Sequence, residues 1–170
     1  EGAYTPDGLT FDVGNATREA LTRGHGLSDE YSNGNGSLMR ILPLAFTEAS
    51  PSDIEAVSSI THAHATSVEA CLLYVDIARR LLKGQQLPEI LSGLETSTTY
   101  ARLQTLAELT EDDILSTGYV VDTLKAALWC LLTSTSYLGT VLKAVNLGDD
   151  TDTVAAVAGG LAGIIYGLEG

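Results

Sequence analysis

Gly148-Asp149-Asp150-Thr151-Asp152-Thr153 runs directly into Val154-Ala155-Ala156-Val157-Ala158-Gly159-Gly160-Leu161-Ala162-Gly163-Ile164-Ile165-Tyr166, and this stretch decides the fold. An acid-rich turn opens a long segment of small and apolar residues, which reads as the last helix. Its Gly content costs helix stability, and close backbone approach by neighbouring helices accounts for so many small residues. Upstream, Val121, Leu124, Leu128, Leu131 and Leu132 predict a second central helix. Tyr137 or Leu138, Val141, Leu142 and Val145 predict a third, closed by Gly148.

Further toward the N-terminus, Val68, Cys71, Leu72, Val75, Ala78 and Leu82 recur every three or four residues up to Gly84, behind a predicted capping box at Thr66 to Glu69. Ser50-Pro51-Ser52-Asp53 is a helix start, and Thr110 to Asp113 resembles another box. Pro43 is expected to kink the helix that begins near Ser37. Residues 1–36 are rich in turn residues, with one short helix over about Ala16 to Thr22. Nothing alternates as a strand, and no heptad persists. The class is all-α, a compact bundle over 37–170 behind a loop-rich segment at 1–36, all in a single partial domain.

Composition narrows the function. Of 170 residues, 22 are acidic and 9 basic, a net charge of −13. That argues against a nucleic-acid surface, which needs clustered Lys and Arg. The longest apolar stretch, Val154 to Tyr166, is shorter than the roughly 20 residues that cross a bilayer, so no membrane role is expected. Cys71 and Cys130 lie in apolar runs and read as core residues rather than a disulfide or zinc site. With no secretory leader at Glu1-Gly2-Ala3-Tyr4, the expected compartment is the cytoplasm. The chain opens without Met and closes on a helical pattern, so both ends are expected to be cut.

Five features can carry chemistry. Asp150, Asp152 and Thr153 gather hard oxygens at a helix start, as Mg²⁺ requires; helix capping is the competing reading. In Ser32-Asn33-Gly34-Asn35-Gly36-Ser37-Leu38-Met39-Arg40 the glycines admit close ligand approach and the following helix offers free N–H groups; an ordinary turn is the alternative, and the P-loop ending is absent. Arg40 pairs with a phosphate or, by preference, an internal acid. His62 and His64 do not share a helix face, which disfavours a zinc pair, but one can donate to a ligand. Asp12, in Phe11-Asp12-Val13-Gly14-Asn15, reads first as an Asx turn. Tyr119, after Gly118, fills core or stacks on a base, and core is the preferred reading.

Taken in order, these segments resemble the ADP-ribosylglycohydrolase family. The resemblance rests on Tyr4-Thr5-Pro6 through Phe11-Asp12-Val13-Gly14, Gly34 to Arg40, Thr61-His62, Gly118-Tyr119-Val120, and Asp150 to Thr153 with its Ala/Gly-rich helix. It implies an orthogonal helical bundle, incomplete at the N-terminus, around a two-metal centre of Mg²⁺ or Mn²⁺. Asp150, Asp152 and Thr153 become metal ligands. Asp12 becomes the candidate catalytic carboxylate with Asn15 beside it. Ser32, Asn33, Gly34, Asn35 and His62 line the ADP-ribose pocket, and Gly118 and Tyr119 face the adenine.

The implied reaction removes ADP-ribose from a protein side chain, arginine being the commonest bacterial target, with serine or a small molecule as other acceptors. Two departures accompany the resemblance. Asp149 stands where the family has a second glycine. No second Asp-Asp motif precedes Asp150, so this chain is expected to supply half of the binuclear site and to be inactive alone unless a separate chain carries the missing N-terminal third. A non-enzymatic ADP-ribose-binding or structural family member is the alternative. An unrelated helical Mg²⁺-dependent phosphohydrolase is a third reading, which leaves Gly34 to Arg40 unexplained.

Overall fold

The computed structural model describes residues 3, 5–9 and 13–167. Eight α-helices follow in chain order among them: α1 (Asn15–Arg23), α2 (Leu38–Ile41), α3 (Pro51–Ser59), α4 (Ala65–Leu82), α5 (Leu87–Ser92), α6 (Val120–Leu132), α7 (Tyr137–Asn146) and α8 (Thr151–Tyr166). Short 3₁₀ segments lie at Leu42–Phe46, Thr98–Glu108 and Glu111–Asp113. The described residues contain no strand, only two isolated bridges, Leu27 to His62 and Gly34 to Tyr119. The all-α expectation holds.

Helices α4, α6 and α8 form the centre. Cys71, Val75, Ala78, Leu124, Leu128, Ala158 and Leu161 are all buried there. Helix α7 lies against α8 as an antiparallel neighbour, joined by the turn through Gly148. The small residues of α8 have the expected cause at one glycine in particular. A Cβ on Gly160 would stand 2.6 Å from Leu42 Cδ2 and 3.0 Å from Tyr74 Oη. Tyr74 in turn donates its hydroxyl proton to the Val157 carbonyl at 2.8 Å, tying α4 to α8. Gly163 faces open space, so close approach does not account for it.

The helix starts hold in part. Ser50 and Asp53 form the reciprocal capping box at α3, and Thr110 with Asp113 does the same for a single 3₁₀ turn. At Pro43 the chain tightens from α2 into the 3₁₀ segment. The box predicted at Thr66 to Glu69 does not form. His64 caps α4 instead, its Nδ1 accepting from the Thr66 N–H. Glu69 is drawn away to accept from the Ser97 N–H at 2.7 Å. A local motif lost to a partner 28 residues away, which no local pattern encodes. Both cysteines are free and buried, as core residues.

Candidate functional site

The starts of α1, α2 and α8 converge on one cleft of about 730 Å³. Asn15, Gly34, Asn35, His62, Gly118, Asp150, Asp152 and Thr153 line it. Backbone pairing fixes the mouth: the Asn35 N–H donates to the Gly118 carbonyl and the Val120 N–H to the Asn33 carbonyl, each at 3.0 Å. The loop before α2 is thereby stitched to the start of α6. Gly36 permits the His62 ring to pack onto the loop, since a Cβ there would lie 2.9 Å from His62 Cε1.

Asp150 is the N-cap of α8 by position, but its side chain makes no capping hydrogen bond. Its Oδ2 accepts from Asn35 Nδ2 at 2.6 Å. The same Asn35 amide donates to Thr123 Oγ1 at 2.9 Å, which locks it from behind. The capping explanation of the acidic turn therefore fails for Asp150, whose carboxylate is turned into the cleft. Thr153 is buried, and its hydroxyl has only the Met39 thioether, at 4.0 Å, among the described residues. Two carboxylates and a hydroxyl are oxygen donors of the kind a hard divalent cation takes. Among the described residues no three His, Cys, Asp or Glu side chains gather into a metal cage. The set fits a part of a cation site.

Asp149 adopts a left-handed backbone, φ 52°, directly after Gly148 at φ 91°. Glycine suits that conformation, and aspartate is among the few residues that tolerate it. Asp149 is exposed and does not line the cleft.

The other predicted residues are placed as follows. Asp12 lies outside the described residues. Ser32 and Asn33 are buried behind the cleft wall: the Ser32 hydroxyl donates to Asp29 Oδ2, and Asn33 Oδ1 accepts from Ser67 Oγ at 2.9 Å. Tyr119 is 43% exposed, which corrects the preferred core reading; its backbone pairs with Gly34 while its side chain stands clear of the packed interior. Among the described residues Arg40 meets no acid. It donates to the carbonyls of Gly36, Val57 and Ser58 and to Thr61 Oγ1, so its donors are largely committed to holding α2 against the end of α3. Tyr31 and Thr17 also line the cleft and were not singled out in the sequence. Tyr31, on an exposed turn, gives no periodic signal that would have found it.

Comparison with known proteins accords with this geometry. The ADP-ribosylglycohydrolase family profile matches residues 2–170. The chain belongs to that family. It is 38% identical to an ADP-ribosylarginine hydrolase of Pseudomonas putida, over 99% of this chain and 50% of the relative. It is 31% identical to an ADP-ribosyl-[dinitrogen reductase] glycohydrolase of Rhodospirillum rubrum, over 93% of this chain and 56% of the relative. A solved ADP-ribosylglycohydrolase-related protein complex superposes with a TM-score of 0.75 at 32% identity, covering 92% of this chain and 60% of that one. The helical bundle is thus the family's fold. The chain spans about half the length of the curated relatives it matches. Among the described residues no helix is long and apolar enough to cross a membrane.

In this family member His62 is the buried imidazole of the cleft. Burial, and secondly the Arg40 charge, pull its pKa down to about 4. An unfolded histidine takes its proton near pH 6.5. Between those values the unfolded chain holds more protons than the folded one, so stability falls as pH drops. The loss approaches about 3 kcal/mol near pH 4 and is absent above about pH 7. Urea midpoints followed from about pH 7 to about pH 4.5 should show this slope in the native chain and a shallower one in His62→Gln. Equal slopes would refute it.

Proposed function

We propose that this chain forms the ADP-ribose-holding part of a metal-dependent ADP-ribosylglycohydrolase, which cleaves the glycosidic bond between ADP-ribose and an acceptor, with arginine on a protein as the favoured acceptor. The observation that carries the reading is the Asn35–Asp150 hydrogen bond, which aims a carboxylate away from its capping role and into a glycine-edged cleft. Similarity to a protein named an ADP-ribosylarginine hydrolase supports arginine as the acceptor.

The charge balance of the cleft supports a divalent cation, Mg²⁺ or Mn²⁺. Its described lining carries two carboxylates, Asp150 and Asp152, against one cation, Arg40, whose donors are largely committed to backbone carbonyls and Thr61. That balance disfavours a diphosphate, and added positive charge would offset it. Asp150, Asp152 and Thr153 would hold that charge, together with ligands from outside the described residues. A divalent ion there supplies Lewis-acid polarisation and charge neutralisation. The chain's own residues do the rest. Gly34 and Gly36 let the ligand approach the backbone. His62 presents its ring to the cleft, Asn35 fixes the Asp150 carboxylate, and Asn15 is a further polar group of the lining. Asp12 is the proposed catalytic carboxylate, which takes a proton from the attacking water or steadies an oxocarbenium-like transition state.

The test is calorimetric titration of ADP-ribose into the chain with and without Mg²⁺, beside an assay of ADP-ribose release from an ADP-ribosylarginine protein. Mg²⁺-dependent binding supports the reading. Release by the isolated chain would show that it needs no further ligands. Binding without release, which persists when a partner carrying the rest of the relatives' length is added, would favour a non-enzymatic ADP-ribose binder. No binding under any condition overturns the reading.

A further inference from the structure

The hydrogen bonds behind His62 bear on which of its nitrogens carries the proton. Thr61 Oγ1 lies 2.7 Å from His62 Nδ1 and 2.7 Å from Arg40 Nη2. A guanidinium only donates, so the Thr61 oxygen accepts from Arg40. The Thr61 hydroxyl has one proton of its own to give. Thr61 is 4% exposed and His62 2%, and no other acceptor for that proton lies among the described residues. If Nδ1 were protonated, Thr61 would accept twice and leave its own buried proton unsatisfied, a cost of about 1–3 kcal/mol. The favourable arrangement runs one way: Arg40 donates to Thr61, and Thr61 donates to Nδ1. The ring's proton is then on Nε2. That atom lies 3.5 Å from where a Cβ on either Gly34 or Gly36 would stand, and it has no partner among the described residues.

We propose that Arg40, acting through Thr61, is a positioning residue that locks His62 in the Nε2–H tautomer, making the ring a one-way hydrogen-bond donor to an oxygen of the ligand in the cleft. The acceptor's identity, a phosphate or ribose oxygen of ADP-ribose, rests on the function proposed above; the tautomer lock does not. The low proton affinity of the ring agrees with it, because the donor is then the neutral imidazole. The arrangement has a chemical consequence. Nδ1 is occupied and Nε2 is already protonated, so His62 cannot take a proton from an attacking water, and base catalysis falls to another group.

The lock is read directly by long-range ¹H–¹⁵N correlation spectra of the chain labelled at its three histidines. The native chain should show the Nε2–H pattern at His62. Thr61→Val keeps the branched shape and removes the hydroxyl, and should give mixed tautomers; Thr61→Ser should restore the native pattern. ADP-ribose affinity should fall about tenfold in Thr61→Val and recover in Thr61→Ser, the loss of roughly one hydrogen bond. An Nδ1–H pattern in the native chain, an unchanged pattern in a folded Thr61→Val, or an unchanged affinity alongside a changed tautomer overturns the proposal. Should Thr61→Val not fold, the native and Thr61→Ser spectra still decide it. The predicted tautomers in a chain that binds no ADP-ribose would sustain the lock and overturn the ligand reading instead.

Discussion

Asp150→Ala is expected to lower Mg²⁺-dependent ADP-ribose affinity by about 100-fold or more, beyond the roughly 10–100-fold that loss of a supporting partner costs a metal site. Asp149→Ala, one residue earlier, should change it by less than about threefold, the scale of a surface charge. The contrast comes from the backbone. Gly148 and Asp149 both take positive φ, and this reversal presents Asp149 to solvent and Asp150 to the cleft. Asp150 then ends a chain of contacts through Asn35 to Thr123, whose hydroxyl donates to the Thr117 carbonyl at 3.0 Å. Two further pieces of chain, the loop before α2 and the start of α6, hold that one carboxylate. Asn35→Ala should therefore fall between the two variants, at about 10–100-fold. Calorimetric titration of all three variants checks the order. Equal losses at Asp149 and Asp150 would show that only net negative charge matters, and would remove Asp150 from the site.

Asp150 and Asp152 were legible because their signal is local: three acids at one helix start exceed what capping requires. Gly34, Asn35 and His62 came from the family resemblance, because an ordinary turn or a structural histidine would carry the same residues. The core helices were legible from local signals too, since α4, α6, α7 and α8 each repeat apolar residues at helical spacing. What escaped depends on partners distant in sequence. Arg40 looked like a residue seeking an acid, yet carbonyls of α3 and its end satisfy it. Thr66 to Glu69 had the right spacing for a capping box, and Ser97 took the glutamate. The 3₁₀ segment at Thr98–Glu108 has a non-helical break at Thr105 and so lacks a sustained period to read. Tyr31 reaches the cleft from a turn whose position only the assembled fold defines.

Gly26→Ala is expected to destabilise the chain by about 3 kcal/mol, through overpacking and the loss of backbone hydrogen bonds. No motif marks this glycine, and it was legible only in three dimensions. A Cβ there would stand 2.0 Å from the Ser59 carbonyl oxygen, 2.9 Å from its carbon and 3.2 Å from the Thr61 carbonyl carbon. All three are backbone atoms at the end of α3, so no side chain can swing away. The segment must lift, and with it the bonds from the Leu27 N–H to the Thr61 carbonyl at 3.0 Å and from the Ala63 N–H to the Leu27 carbonyl at 2.7 Å. In a chain of this size the melting temperature should fall by roughly 6–12 °C. Gly14→Ala, where an added Cβ meets nothing within 4 Å, should stay within about 0.5 kcal/mol of the native chain. Gly36→Ala separates scaffold from cleft: its Cβ would press on the His62 ring at 2.9 Å, so ligand affinity should suffer more than stability. Thermal unfolding and ADP-ribose titration of the three variants test this together. A Gly26→Ala chain as stable as Gly14→Ala would mean that the loop ahead of Leu27 does not rest on the end of α3, and that Thr61 and His62 are held in place from one side only.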